Sequence, residues 1–255
     1  MSDIFKGIRE REEKSFFKDE KIFRTDYTAA SRDEIIGRNE EKDQILKVFY
    51  DTIKKNLRSE LNIVGTTGIG KSYLVRAILA EINREYKDER QEDGLTPSFY
   101  SAWVNCKRIY PMTKFKLQNK ILLESIGKPV KKGLSDQDAT QIIKHLRKKA
   151  PFIVVLDEVD NVADYEKGDL LYDLIEMKLS LIMISNDFNW TNGVDMRVKS
   201  RALSNRLLFQ KYSLEEMLNI LKFIRDKGVK EGIMSDLILR RIAELTDERF
   251  LGDVR

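Results

Sequence analysis

Five short apolar runs punctuate the chain, and between them lie segments whose apolar residues recur at helical spacing. The runs are Leu61 to Val64, Phe99 to Cys106, Pro151 to Leu156, Leu179 to Ser185 and the shorter Arg206 to Phe209. Their bulky and β-branched content predicts strands, and the unbroken apolarity of the third and fourth marks central parallel strands, buried on both faces. Ile45, Leu46, Val48, Phe49 and Ile53 fit one face of a helix opened by the turn at Asp33 to Glu40. Further helices are predicted over Tyr73 to Ala80, about Lys116 to Ile126, over Asp136 to Lys149, and throughout the stretch from Ser213 onward. The charged run Asn83 to Gly94 reads as an exposed helix end and loop. Strands alternating with helices imply right-handed crossovers, and hence an α/β fold with a central parallel five-stranded sheet flanked by helices. Ligands of such sheets bind at the carboxyl ends of the strands. Three segments are expected: a charge-dense N-terminal arm over 1–31 with scattered aromatics, a core over 32–212, and a truncated helical lid over 213–255.

The first run leads directly into Gly65-Thr66-Thr67-Gly68-Ile69-Gly70-Lys71-Ser72. A strand, a Gly-x-x-x-x-Gly-Lys-Ser turn and a helix together form a P-loop, and each residue type has a mechanical reason to be there. Glycines let the backbone wrap a phosphate chain with successive N–H groups pointing inward, and the helix presents its positive N-terminal end to the same anion. Lys71 would reach the β and γ phosphates, and the Ser72 hydroxyl would complete the coordination of a phosphate-bound Mg²⁺. A nucleoside triphosphate, ATP or GTP, with Mg²⁺ is the ligand this loop implies, and Gly65 through Ser72 are its binding residues. Upstream, Ile35 and Ile36 are placed either to hold an adenine ring or simply to pack the core.

The third run ends in Asp157-Glu158-Val159-Asp160, a Walker B arrangement at a suitable distance after the P-loop. Asp157 would hold Mg²⁺ through its water shell, and Glu158 would orient and deprotonate the water attacking the γ-phosphate. The fourth run ends in Ser185-Asn186-Asp187. There Asn186 can polarise the attacking water without competing for its proton, although an Asn after a strand is also a common turn former. Arg197, Arg201 and Arg206 follow closely. They read either as fingers that reach a neighbouring subunit's γ-phosphate, worth about 10³–10⁵ in rate, or as a surface basic cluster.

With 255 residues, 42% hydrophobic and 35% charged, the chain can bury a full core, and no apolar run approaches the length of a membrane span. The N-terminus lacks the apolar core of a secretory signal, which predicts a cytoplasmic protein without membrane partners. One cysteine, Cys106, excludes an internal disulfide, and one histidine, His145, leaves no Cys/His zinc site within one chain. A net charge of +4 is too small to establish nucleic-acid binding by itself.

The order of these motifs resembles the AAA+ ATPases of replication initiation, specifically the archaeal-type origin-recognition and helicase-loader initiators. The resemblance is carried by Ile36-Gly37-Arg38-Asn39-Glu40, the P-loop, Val104-Asn105-Cys106, Val155 to Asp160, Ile184 to Asp187, Arg197-Val198-Lys199-Ser200-Arg201 and Gly252-Asp253-Val254-Arg255. It implies that Ile36 and Arg38 join the nucleotide site, that Asn186 is the first sensor, that Arg201, with Arg197 second, is the arginine finger, and that Arg255 is the lid's sensor. It further implies double-stranded origin DNA and the replicative helicase as partners, with self-association through the arginine-finger face. Members of that family continue into a winged-helix domain that binds DNA. Since this chain stops at Arg255, either a fragment or a short relative is expected, and Arg255 has little sequence behind it to hold it rigid.

DNA contact is then expected in the segment Lys107 to Lys132, where the family carries an initiator-specific insertion. Lys107, Arg108, Lys114 and Lys116 interleave with Tyr110, Pro111 and Phe115, the mixture suited to phosphate contacts beside an apolar wedge. The same residues equally describe a solvated helix with Phe115, Leu117 and Ile121 turned inward. Two functions follow: an ATP-controlled replication initiator that hydrolyses ATP slowly, or a nucleotide-dependent adaptor in a helicase or transposition complex without sequence-specific DNA binding. A purely structural nucleotide conflicts with the presence of both Glu158 and Asn186.

Overall fold

Every one of the five apolar runs forms a strand: β1 (Glu60–Val64), β2 (Tyr100–Asn105), β3 (Phe152–Asp157), β4 (Ser180–Ser185) and β5 (Arg206–Leu208). The structure is a computed structural model and describes residues 15–23, 34–128, 135–162, 164–192, 194, 196–202 and 204–250. All strands are parallel, in the order β2-β3-β4-β1-β5. The three strands that end in the P-loop, in Asp157 and before Asn186 are therefore side by side. Val64 pairs with Ser185 and Asp157 with Ile184, so the three motifs leave the sheet at one edge.

Strand alternation assigns each apolar residue to one of two helical layers. On one face Leu61, Ile63, Ile153, Val155, Ile182 and Ile184 pack against α1 (Asn39–Ile53) and α2 (Lys71–Glu85). On the other, Ala102, Val104, Phe152, Val154, Leu181 and Met183 pack against α3 (Lys114–Ile126), α4 (Asp136–Lys149), α5 (Asp164–Glu176) and α6 (Met196–Ala202). The last two helices fall where the sequence pattern singled out no element. In α3 Leu117 and Ile121 turn inward and are buried, whereas Phe115 is half-buried. Ser135 and Asp138 cap α4 reciprocally, each side chain taking the other's backbone N–H.

Two buried polar side chains of the sheet layer, Asn62 and Ser180, find partners in other elements. Trp190, 1% exposed, donates its indole N–H to Asn62 Oδ1 at 3.2 Å, which ties the loop after β4 to the middle of β1. Ser180 Oγ accepts both Thr52 Oγ1 and the Ser59 N–H, joining the starts of β1 and β4 to α1.

Beyond the sheet, Ser213 and Glu216 form a second capping box that opens α7 (Leu214–Gly228), and α8 (Asp236–Phe250) packs back on it. The described part of the N-terminal arm docks here. Phe17 bridges Val229, and the Lys18 N–H donates to Gly228 O at 2.8 Å. Gly228 permits this approach, because a Cβ there would lie 2.5 Å from the Phe23 ring and 2.6 Å from Ile22.

Trp190→Phe would leave the buried Asn62 carbonyl without its donor, so it should lower stability to urea by about 1–3 kcal/mol. Replacing both partners, Trp190→Phe with Asn62→Leu, should recover part of that loss. An unchanged urea midpoint in the single variant would remove this contact from the list of structural ties.

Candidate nucleotide site

The P-loop geometry follows from its glycines. Gly68 and Gly70 hold φ values of 79° and 89°, in the left-handed region that side chains avoid, and Gly70 directly precedes α2. Gly65 is required for space instead, since a Cβ there would fall 2.6 Å from Ile69 Cδ1 and 2.7 Å from the Phe209 carbonyl. Ile69 is buried as an apolar plug, Thr66 is half-buried and Thr67 exposed. Within the loop Lys71 is only 4% exposed. Its ammonium donates to Gly65 O at 2.8 Å, Thr66 O at 2.6 Å and Asn186 Oδ1 at 2.8 Å. Three N–H groups thus meet three oxygens, the pairing a buried cation needs.

Next to it, Ser72 Oγ donates to Asp157 Oδ1 at 2.7 Å. The other Asp157 oxygen lies 3.7 Å from Arg76, whose guanidinium rests over the Trp103 ring at 4.5 Å. Asn105, beside Asp157 in the β2–β3 register, has a buried Oδ1 with no hydrogen-bond partner, so an unmatched acceptor flanks the same carboxylate. Glu158 leaves the strand in the left-handed conformation, φ 54° and ψ 45°, which costs a non-glycine residue about 1–2 kcal/mol. The Asn161 N–H and side-chain amide both donate to its carbonyl, at 3.0 and 3.2 Å, and Asp160 Oδ1 accepts the Asn186 N–H at 3.0 Å.

On the α1 side, Ile35 is buried in the core, taking the packing alternative, while Ile36 stays half-buried beside it. Arg38 is 8% exposed. Its guanidinium donates to Glu41 Oε1 at 2.8 Å and to Gln210 O at 2.6 Å, and its Cζ lies 4.0 Å from the centre of the Tyr212 ring and 5.1 Å from that of Phe209. Burial works to lower its pKa, but the Tyr212 hydroxyl and Glu41 outweigh burial and hold it raised, so the group stays charged. Tyr212 also reaches the P-loop, its hydroxyl 2.9 Å from where a Cβ on Gly70 would stand. A cationic, aromatic wall therefore joins α1, the P-loop and the segment that leads into α7.

This donor set fits a phosphate chain and a hard cation. Gly68 and Gly70 give the loop its left-handed turns, a helix N-terminus and a buried ammonium stand beside it, and the Ser72 and Asp157 oxygens suit Mg²⁺. Residues 61–188, half of the chain, match the family described as ATPase family associated with various cellular activities (AAA). The chain belongs to the AAA family of ATPases. Within that family its sequence relatives are ORC1-type DNA replication proteins, as the motifs implied. One from Saccharolobus solfataricus is 30% identical over 84% of this chain, and one from Methanosarcina acetivorans is 26% identical over 95%. This AAA chain spans 53% and 58% of those two proteins, a little over half the length of the curated relatives it matches. Among solved structures, the Aeropyrum pernix ORC1 protein in complex with DNA aligns with a TM-score of 0.74 at 21% identity, covering 91% of this chain and 60% of that one. The Aeropyrum pernix ORC2 protein in ADPNP–ADP complexes aligns with a TM-score of 0.73 at 18% identity, covering 94% and 64%. These two share the AAA fold seen here.

The remaining predicted residues stand on other segments, and Arg255 lies outside the described residues. Arg201 is exposed on α6, with Nη1 3.0 Å from Glu176 Oε1 and its carbonyl facing Arg58, near the start of β1. Arg197 lies one turn earlier on that helix, also exposed. Lys107 and Arg108 are exposed on the turn Cys106–Arg108, at the sheet edge that carries Asp157. Lys114 pairs with Asp173 at 2.8 Å, and Lys116 donates to the Tyr110 carbonyl at 3.1 Å. No helix among the described residues is long and apolar enough to cross a membrane.

Sequence reasoning assigned no task to Asp160, Arg76, Phe209 or Tyr212. Asp160 stood inside the Walker B motif as a signal; the other three reach the site only through tertiary contacts.

Cys106 lies 2% exposed beneath the Walker B turn, and its thiol is pushed up to about 12 by burial first and then by Asp157, Asp160 and Glu158. Folded protein at pH 8 should accordingly resist a thiol-specific reagent for hours and react stoichiometrically once unfolded in urea. Rapid labelling of the native state would contradict this placement.

Proposed function

We propose that this chain is the ATP-binding and slowly ATP-hydrolysing part of a DNA replication initiator that recognises origin DNA and helps load the replicative helicase. The observation that carries the reading is the convergence of Lys71, Ser72, Asp157 and Asn186, linked by bonds of 2.7–2.8 Å across three adjacent strand ends. The P-loop backbone from Gly65 to Ser72 takes the phosphates, Lys71 turns its ammonium from the loop carbonyls to the phosphate oxygens, and Ile36 and Arg38 flank the base. Mg²⁺ held by Ser72 and by the water shell of Asp157 would neutralise developing phosphate charge. Glu158 takes the proton of the attacking water, and the Asn186 amide orients that water.

The initiator half of the reading is supported by the ORC1-type names of the sequence relatives and by exposed Lys107, Arg108 and Tyr110 at the edge of the site. Arg201, and Arg197 as the second choice, act across a subunit boundary on a neighbour's nucleotide. Arg255 would sense the nucleotide from the lid, and the protein works in the cytoplasm. A second reading, a nucleotide-dependent adaptor in a helicase or transposition complex without sequence-specific DNA binding, is favoured by one observation. Two of the four basic residues predicted to touch DNA, Lys114 and Lys116, spend their charge on contacts within the chain.

Lys71→Ala should weaken ATP binding by about 10- to 100-fold, the loss of one charge-assisted contact set. Glu158→Gln should keep ATP affinity and lose turnover by at least about 100-fold. Unchanged hydrolysis in Glu158→Gln would sink the catalytic assignment. Duplex binding measured across a salt series separates the two readings: an initiator gives a steep salt slope and prefers its own sequence, and an adaptor gives neither.

A further inference from the structure

The turn after β3 holds a carboxylate that the nucleotide reading leaves without a task. The β3–β4 ladder ends at Asp157 and Ile184, and the β1–β4 ladder ends at Val64 and Ser185. The backbone N–H of Asn186 therefore lies beyond both ladders, where no strand supplies an acceptor. Asp160 Oδ1 takes that N–H at 3.0 Å, from 26 positions away in sequence. Its second oxygen lies 3.3 Å from Asn161 Nδ2, the amide that also holds the carbonyl of Glu158. On the far side, Asn186 Oδ1 accepts from Lys71, which holds Gly65 O and Thr66 O. A continuous line of hydrogen bonds thus runs from the Glu158 turn through Asp160 and Asn186 to the P-loop.

We propose that Asp160 is a positioning residue for ATP hydrolysis: by holding the Asn186 backbone against the Walker B turn, it keeps the Asn186 amide and the Glu158 carboxylate trained on the same phosphate. Among the described residues the β3–β4 pairing stops two residues short of Asn186, and the Asp160 bond carries the tie between the two strand ends on to the Asn186 backbone. That tie needs an oxygen acceptor at position 160, and the acceptor's charge is not what the task requires. The proposal rests on the hydrolytic reading of the site, and a misplacement of about 1 Å between such groups can cost about 100-fold in rate.

Three variants and three measurements test it. Asp160→Ala should lower kcat by about 10- to 100-fold while ATP affinity stays within about twofold, because the phosphate cradle itself is untouched. Asp160→Asn, which keeps one oxygen acceptor for the Asn186 N–H and gives up only the longer 3.3 Å contact with Asn161 Nδ2, should retain kcat within about threefold. Loss in Asp160→Asn as deep as in Asp160→Ala would mean that charge matters rather than placement, and an equal fall in affinity would mean general collapse; either overturns the proposal. Hydrogen exchange at the Asn186 amide reads the same bond without hydrolysis. It should be protected in the wild type and in Asp160→Asn, and an unprotected wild-type amide overturns the proposal even if Asp160→Ala fails to fold. Glu158→Gln keeps the two readings apart. If it is inactive while Asp160→Ala turns over normally, only the positioning role fails; if Glu158→Gln itself turns over normally, the hydrolytic reading fails.

Discussion

A buried ammonium is the demand around which this fold is built. Lys71 sits at the first turn of α2, almost wholly out of water, and a cation so placed is costly unless each N–H finds an oxygen. Two of those oxygens are backbone carbonyls of its own loop, available because Gly68 and Gly70 let the chain double back in the left-handed region. The third belongs to Asn186, and its presence depends on β4 running beside β1. A phosphate chain offers the same ammonium several oxygens at once. Arrival of that anion exchanges one solvation shell for another instead of creating one from nothing.

Strand order turns this local demand into a site. Because β3, β4 and β1 are neighbours and parallel, their carboxyl ends deliver Asp157, Asn186 and the P-loop to one edge. Ser72 and Asp157 come from segments 85 positions apart in sequence, yet their oxygens stand 2.7 Å apart. The apolar residues of both sheet faces enforce that proximity, since any slip of register by one residue would send Val155 and Ile184 into the wrong helical layer. Packing of ordinary aliphatic side chains is in this sense what holds the polar site in place.

Around the cradle, charge is restrained by aromatic faces. Arg38 lies over Tyr212 and Phe209, and Arg76 over Trp103, so each guanidinium meets an aromatic face as well as an acidic side chain, Glu41 or Asp157. The first pair spans the junction between the sheet and the helical segment that opens with α7. Tyr212 touches the Gly70 position, its neighbour Ser213 caps α7, and Arg38 contributes to the lowered pKa of Glu216, after the Ser213 backbone hydrogen bond. The helical segment after the sheet therefore begins in contact with the P-loop.

Apolar runs and a glycine-rich turn speak through short-range periodicity, and for that reason the strands, the P-loop and the Asp157-Glu158 pair were all legible in the amino-acid sequence. A parallel strand buried on both faces cannot hide its composition, and only glycine tolerates φ near 80–90°, as at Gly68 and Gly70. The helix Asp164–Glu176 has no counterpart among the predicted elements although Leu170, Leu171, Leu174 and Ile175 recur at helical spacing and are buried, and Met196–Ala202, seven residues long, is too short to show a period. Strand order, and with it the meeting of Lys71 with Asn186 and of Asp160 with the Asn186 backbone, was decided only by the tertiary structure. Arg38 shows the division most plainly. Its motif marked it for the nucleotide site, but its stack on Tyr212 and its bond to Gln210 span more than 170 positions, and no local pattern encodes a contact at that range.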